Sequence, residues 1–414
     1  MNKEFFVHNR ENLYQQLEEN TLLVLFAGKA PHKSADEAYK FVPNRNFYYI
    51  TGINEPNNIF LAFKRDNKVD EYLFIEKSDP VMEKWVGKTV STEEAQELSG
   101  VKNIQFTEQF RTFFSRTVSS LQSARLYVDL ERSELDTVTT KPQLFVKEVQ
   151  TNFPFLQIKN VYPIICDLRL YKKPEEIEKI KQAIEITKNG IYNLMSNAKP
   201  GMKEYQLEAH FDFVLKSEGV KDFAFPTIVA SGQNGTVLHY DKNNSVAEDG
   251  NLVLLDLGAQ YDYYSADISF TFPVNGKFSE RQKTFYNIVL RALKETTELI
   301  KPGVPFTKLN EHTKKVLAEE CLKLGLIKEE SEISKYYYHG VSHSLGLDTH
   351  DVGNYRDKVL EPGMVLTVEP GLYIEEEGIG IRIEDDVLVT ENGYDNLSKD
   401  IIRSVEEIEA FMNK

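Results

Sequence analysis

Two pairs of carboxylates, each flanking a reversal of an apolar strand, constrain this chain more than any other feature of its sequence. The first pair is Asp256, in Leu252-Val253-Leu254-Leu255-Asp256-Leu257-Gly258, and Asp267, in Ala266-Asp267-Ile268-Ser269-Phe270. The second is Glu369, in Val365-Leu366-Thr367-Val368-Glu369-Pro370-Gly371, and Glu384, in Ile379-Gly380-Ile381-Arg382-Ile383-Glu384-Asp385. Directly opposed residues of a hairpin share a constant index sum. Asp256 therefore faces Asp267 if the turn centres near Tyr261 and Asp262, and Glu369 faces Glu384 across a turn near Glu376 and Glu377. Facing Cβ atoms on one side of a sheet lie about 5 Å apart. Two like charges about 4 Å apart cost about 4 kcal/mol at an effective dielectric of about 20, and burial among Val, Leu and Ile adds desolvation. Protonation or a bound cation must relieve that cost.

The two hairpins also read as copies. Lys199-Pro200-Gly201 recurs as Lys301-Pro302-Gly303, each between two helical patterns, and Glu248-Asp249-Gly250-Asn251-Leu252-Val253-Leu254 recurs as Glu361-Pro362-Gly363-Met364-Val365-Leu366. Two units fall short of a solenoid, which needs about three. The expectation is one internally duplicated domain whose pseudo-two-fold axis gathers both carboxylate pairs.

A nitrogen donor is available from His339-Gly340-Val341-Ser342-His343-Ser344-Leu345-Gly346-Leu347-Asp348-Thr349-His350-Asp351, which holds three of the chain's 8 histidines. Four carboxylates and one imidazole make a hard, oxygen-dominated set that favours manganese, magnesium or calcium and admits cobalt or zinc. One divalent ion leaves the set far from neutral, whereas two match four carboxylates. His239, in Val237-Leu238-His239-Tyr240-Asp241, sits at the place in the first repeat that His350 holds in the second.

At these residues the chain resembles the pita-bread metallopeptidases, and among them the aminopeptidase P group. The likeness runs through the carboxylate-bearing strands, the segment from His339 to Asp351, the run Glu361 to Gly371, and Gly378-Ile379-Gly380-Ile381-Arg382-Ile383-Glu384-Asp385-Asp386. It extends to the N-terminal part, where Phe47-Tyr48-Tyr49-Ile50-Thr51-Gly52 is its clearest mark of a creatinase-type domain. The resemblance implies two divalent ions, manganese foremost with cobalt or zinc as alternatives. It places Asp256 on one, Asp267 and Glu384 bridging both, and His343 with Glu369 on the second. It implies further that His239, His339 and His350 line the substrate cleft, with Arg382 and Tyr373 behind them. The expected reaction is attack by a metal-bridging hydroxide on peptides with proline at the second position, Glu369 moving the proton and His350, with His239, steadying the oxyanion. The proline preference rests on the resemblance alone. The rival readings are a dipeptidase restricted to Xaa-Pro, a metal-free creatinase-like hydrolase and a non-catalytic pita-bread binding module.

The charge balance fits a peptidase better than a nucleic-acid or membrane binder. Forty-nine basic against 64 acidic residues give a net charge of -15, which repels phosphate-rich partners. Cys166 and Cys321 are the only cysteines, too few for a disulfide framework. Met1 to Arg10 is too polar for a signal peptide, and no apolar run approaches the roughly 18 residues of a membrane span. A cytoplasmic location is expected, and the resemblance adds a homodimer or homotetramer.

The fold class expected is α/β, with a creatinase-type domain over residues 1–166 and a pita-bread domain over residues 167–414. The boundary is read near Cys166 to Pro174, where a strand-like run ends and Pro174, Glu175 and Glu176 open a helix as first-turn residues. Strands are expected at Leu22 to Ala27, Phe47 to Thr51, Ile59 to Phe63, Tyr72 to Ile75 and Leu126 to Leu130, with helical stretches between. Tyr336 to Tyr338 are read as strand packing, and Glu375 to Glu377 as a solvated hairpin loop.

Overall fold

The uninterrupted apolar run Thr21–Phe26 is buried at every position and forms an inner strand of a six-stranded mixed sheet. Its neighbours are Ile59–Arg65, antiparallel, and Arg125–Val128, parallel; Lys68–Ile75 with Asn103–Phe106, and Gln157–Asn160, complete the two sides. Strands buried in this way lose their alternation and read as continuous hydrophobic runs. Helices carrying Phe110, Phe114 and Val149 pack against Leu22, Val24, Phe26 and Phe74. This sheet belongs to the first of two compact units, Met1–Leu168 and Arg169–Lys414, of a computed structural model that describes residues 1–121, 124–132 and 134–413.

Two of the expected strands are helices. Arg45–Thr51 is α-helical: the Asn44 side chain accepts from the Phe47 N–H at 2.8 Å, and Gly52 closes the helix at φ 72°. Asn46 through Thr51 are all buried, so the run shows no period, and only the Asn cap and the Gly stop mark it as helix. The apolar segment before Pro174 lies in the helix Tyr162–Leu170. Tyr336 to Tyr338 belong to no strand; they follow a 3-10 turn at Glu330–Lys335.

The second unit repeats one order of elements. Helices Pro174–Asn197 and Glu204–Ser217 precede strands Ile228–Ser231, Leu252–Leu257 and Ile268–Pro273. Helices Glu280–Glu298 and Thr307–Lys323 then precede Val365–Val368, Gly371–Ile374, Ile379–Arg382 and Asp385–Thr390. Glutamates 175 and 176 sit in the first turn of their helix, where the Glu176 carboxylate accepts from the Lys173 N–H at 2.9 Å.

In the second hairpin Val368 pairs with Asp385 and Gly371 with Arg382. That is the register in which Glu369 opposes Glu384, around an exposed tip at Glu375–Glu377. In the first hairpin the expected register fails, because Asp256 pairs with Ser269, not Asp267. The turn is centred on Asp262 and Tyr263, at φ 48° and 72°, one residue later than expected. A two-residue turn with both φ positive matches strand twist, and each one-residue shift of its centre moves every partner by two. Asp267 thus sits diagonally from Asp256, just outside the ladder. Gly258 marks the break: a Cβ there would lie 1.9 Å from the Ala266 carbonyl oxygen, so only glycine lets the strands close at this point.

Candidate metal centre

Asp267, His343 and Glu384 bring one ligand atom each within 4.8 Å of one another. Backbone partners fix two of them. The Asp267 N–H donates to Asp386 Oδ2 at 3.2 Å, and the Glu384 N–H donates to the Ser269 carbonyl at 3.0 Å. His343 Nδ1 faces the Ser344 carbonyl at 3.1 Å. A hydrogen bond there keeps a proton on Nδ1 and turns Nε2 towards the carboxylates, 3.3 Å from Asp267 and 3.6 Å from Glu369.

The other two expected ligands border this group. Asp256 accepts from an Arg382 terminal nitrogen at 2.6 Å and from Ser269 Oγ at 3.3 Å. Arg382 Nε donates to Ser269 Oγ at 2.7 Å, and that hydroxyl donates to Glu384 Oε2 at 2.8 Å. Ser269 thus joins a carboxylate of each hairpin to one guanidinium, a role visible only once the register is known. Behind it, Arg382 donates to Tyr373 Oη at 3.0 Å, and Tyr373 Oη meets His339 Nε2 at 2.8 Å. His339 Nδ1 lies 2.8 Å from the Gly340 carbonyl and 3.7 Å from Glu369.

Electrostatics shows that one guanidinium does not neutralise this cluster. Burial pushes the Asp267 carboxyl up to about 6 and the Glu369 carboxyl up to about 8, and burial together with Asp267 and Glu369 drives Glu384 well above the carboxylate range. Burial opposes charge on His343, yet Asp267 and Glu369 hold it up to about 9. Burial and Arg382 push His339 down to about 4, keeping it neutral. Buried carboxyls and a buried imidazole that retain protons beside one another form the donor set a divalent cation displaces protons from. These residues fit a divalent cation.

His239 and His350 are exposed, unlike His339 and His343. The His350 ring stands 4.3 Å, centroid to centroid, from that of His343. Burial, then His343 and His239, lower its pKa, and His239 also disfavours charge on His339. These imidazoles therefore share one neighbourhood.

Comparison with known proteins adds the lineage. Residues 178–391 match metallopeptidase family M24, and residues 6–127 match the aminopeptidase P N-terminal domain. The Xaa-Pro aminopeptidase of Escherichia coli K12 is 35% identical, over 100% of this chain and 98% of the relative. The chain belongs to metallopeptidase family M24. Solved structures agree with this membership. Aminopeptidase P from E. coli with the inhibitor Pro-Leu matches at TM-score 0.92 and 34% identity, covering 100% and 98% of the two chains. A Bacillus anthracis protein whose aminopeptidase P description is provisional matches at 0.99 and 62%, covering 100% and 99%. This M24 member is thus a hydrolase of the metallopeptidase class whose full-length relatives are Xaa-Pro aminopeptidases.

Within the M24 unit, sequence reading missed a buried ion cluster beneath the histidine loop. Lys172 Nζ lies 2.9 Å from Asp351 Oδ2 and 3.5 Å from Ser344 Oγ, while Arg169 bridges Asp351 at 2.5 Å and Asp348 at 2.7 Å. The Lys172 and Asp351 side chains are each 1% exposed. The cluster clamps the segment between His343 and His350 from below. Its signal was present in Arg169 and Lys172, which alternate with Leu168, Leu170 and Tyr171, but their partners lie some 180 residues away, as the separations of 179 and 182 record. Removing one partner of a buried pair costs about 3 to 5 kcal/mol. Lys172→Met is therefore expected to lose about 3 kcal/mol, the low end because Arg169 remains on Asp351. Urea denaturation checks it, and a change within about 0.5 kcal/mol, the range of ordinary surface substitutions, would contradict the clamp.

Proposed function

We propose that this chain is a metal-dependent aminopeptidase that releases the N-terminal residue from peptides with proline at the second position. The observation that carries the reading is the convergence of Asp267, His343 and Glu384 within 4.8 Å, with Asp256 and Glu369 beside them. In this reading Asp256, Asp267, His343, Glu369 and Glu384 hold two divalent ions, manganese first and cobalt or zinc as substitutes. Bound ions of this kind supply Lewis acidity and a water acidified towards neutrality.

The protein groups do the rest. Glu369 takes the proton and passes it to the leaving imino nitrogen, its carboxylate standing between His343 and His339. His350, with His239, donates to the developing oxyanion; both are exposed to a substrate, and burial with the neighbouring His343 disfavours the charged form of His350. Arg382 neutralises Asp256 and, through Tyr373, fixes the tautomer and orientation of His339. His339 in turn forms the wall beside Glu369. No helix among the described residues is long and apolar enough to cross a membrane. A cytoplasmic homodimer or homotetramer completes the proposal, to be measured by sedimentation of the full chain.

The substrate class is open to a direct test. With manganese added, Arg-Pro-Pro should lose its first residue, whereas Arg-Ala-Pro should be far poorer, lacking the φ of about -65° that proline fixes. Acetylating the amine should suppress cleavage, since the acidic cluster favours a cationic terminus. Product masses decide it. Equal turnover of the two tripeptides, or turnover of dipeptides alone, would refute the assignment while leaving a peptidase.

A further inference from the structure

The loop that carries His239 is fastened at both ends to one buried carboxylate outside the metal group. Glu204 is fully buried at the start of the helix Glu204–Ser217, and both its oxygens are engaged. Oε1 accepts from the Ser231 N–H at 2.7 Å, Ser231 Oγ at 2.7 Å and Asn234 Nδ2 at 2.9 Å. Oε2 accepts from Tyr240 Oη and the Ser245 N–H, each at 2.8 Å. The donors come from positions 231, 234, 240 and 245, so the carboxylate ties the entry, the exit and the residue next to His239 to a single point. Burial alone would raise the pKa of Glu204, but these donors hold it below the usual carboxylate range, as expected when hydrogen bonds go to the charged form.

Other contacts hold the entry side of the same loop but do not reach His239. Tyr338 Oη donates to the Thr236 carbonyl at 2.7 Å, and a Cβ on Gly380 would lie 1.9 Å from the Gly235 carbonyl oxygen, so the turn Gly232–Thr236 rests directly on the strand Ile379–Arg382. From His239 to Ser245 the loop is held by Asn243 at φ 43°, whose side chain meets Val229, Thr227 and Glu208, by Lys203 Nζ at the Asn244 carbonyl, and by Glu204 through its backbone N–H at the Ser245 carbonyl and its carboxylate. An exposed imidazole on an otherwise irregular segment is placed only as well as its neighbours are.

We propose that Glu204 is a positioning residue for His239: its ionised carboxylate, buried under the loop and shared by five donors, sets where the imidazole stands in the substrate cleft. The effect on turnover rests on the aminopeptidase reading above; the anchoring of the loop does not. A glutamine at this position keeps the volume but replaces an acceptor oxygen by an N–H₂ group that faces donors, so one end of the loop must let go.

The test is Glu204→Gln, alone and combined with His239→Ala, on the metal-loaded full chain. Amide hydrogen exchange should quicken over residues 231–245 in Glu204→Gln and stay unchanged over residues 343–351, with metal content equal to the parent. Turnover of Arg-Pro-Pro should fall at least tenfold in kcat/KM in the parent background, yet by less than about twofold when His239 is already alanine, because residues acting through one another are not additive. Glu204→Asp, which keeps the charge, should recover part of the loss. Unchanged exchange over 231–245 overturns the anchoring. Equal losses with and without His239 overturn the positioning role and leave Glu204 a stability residue. If His239→Ala turns over like the parent, the substrate role of His239 fails, and the exchange measurement still decides whether Glu204 anchors the loop.

Discussion

Asp267→Ala and Glu384→Ala should each abolish turnover and strip bound metal while the chain stays folded. Both side chains lie in the group that converges within 4.8 Å, and removing a shared ligand leaves the remaining carboxylates without compensation. Metal content by mass spectrometry and the thermal transition report the two halves of this expectation. A variant with near-parental activity and full metal would end the binuclear reading. Chelation of the parent gives an independent view of the same electrostatics. Asp267 and Glu369 carry raised pKa values, about 6 and about 8, in the metal-free protein. Their stabilising contribution is complete below the unfolded carboxylate values of about 4 and is lost as pH rises through those folded-state values. The melting temperature of chelated protein should therefore fall further below that of metal-loaded protein on going from about pH 5 to about pH 9. A gap independent of pH would show that the carboxylates are not what the metal relieves.

The second large effect separates the two neighbouring histidines. His350→Ala should keep its metal and lose about a hundredfold to a thousandfold in kcat, the usual cost of an oxyanion donor. His343→Ala should lose metal as well as activity, because its Nε2, 3.3 Å from Asp267, is the nitrogen that would replace its proton by the ion. Their rings stand 4.3 Å apart, so a merely steric account predicts similar behaviour. Equal metal loss in the two variants would mean the roles are exchanged or shared.

Much of the centre was legible because hairpin register is arithmetic once the turn is known. Gly378, at φ 62°, closes the second turn, and the opposition of Glu369 and Glu384 followed from sequence. The first turn holds no glycine; Asp262 and Tyr263 take positive φ instead, and the error of one residue there hid Ser269 as the partner of Asp256. Helix Arg45–Thr51 was hidden for another reason: six consecutive buried residues erase the period that distinguishes helix from strand. Lys172, Arg169 and Glu204 belong to a third class. Each is a charged residue in a helical or apolar stretch whose meaning lies in partners brought from far along the chain, and no local pattern encodes them.

The reciprocal fastening of the two carboxylate pairs has an evolutionary reading. The amide of Asp267, in the first repeat, is held by the side chain of Asp386 in the second, and the amide of Glu384, in the second, is held by the carbonyl of Ser269 in the first. Each half thus carries a splint for an expected ligand of the other. An ancestral pair of identical half-length chains could have shared a centre symmetrically, but this arrangement has divided the labour. Either half expressed apart would keep its acidic residues and lose the partner that holds the Asp267 or the Glu384 amide.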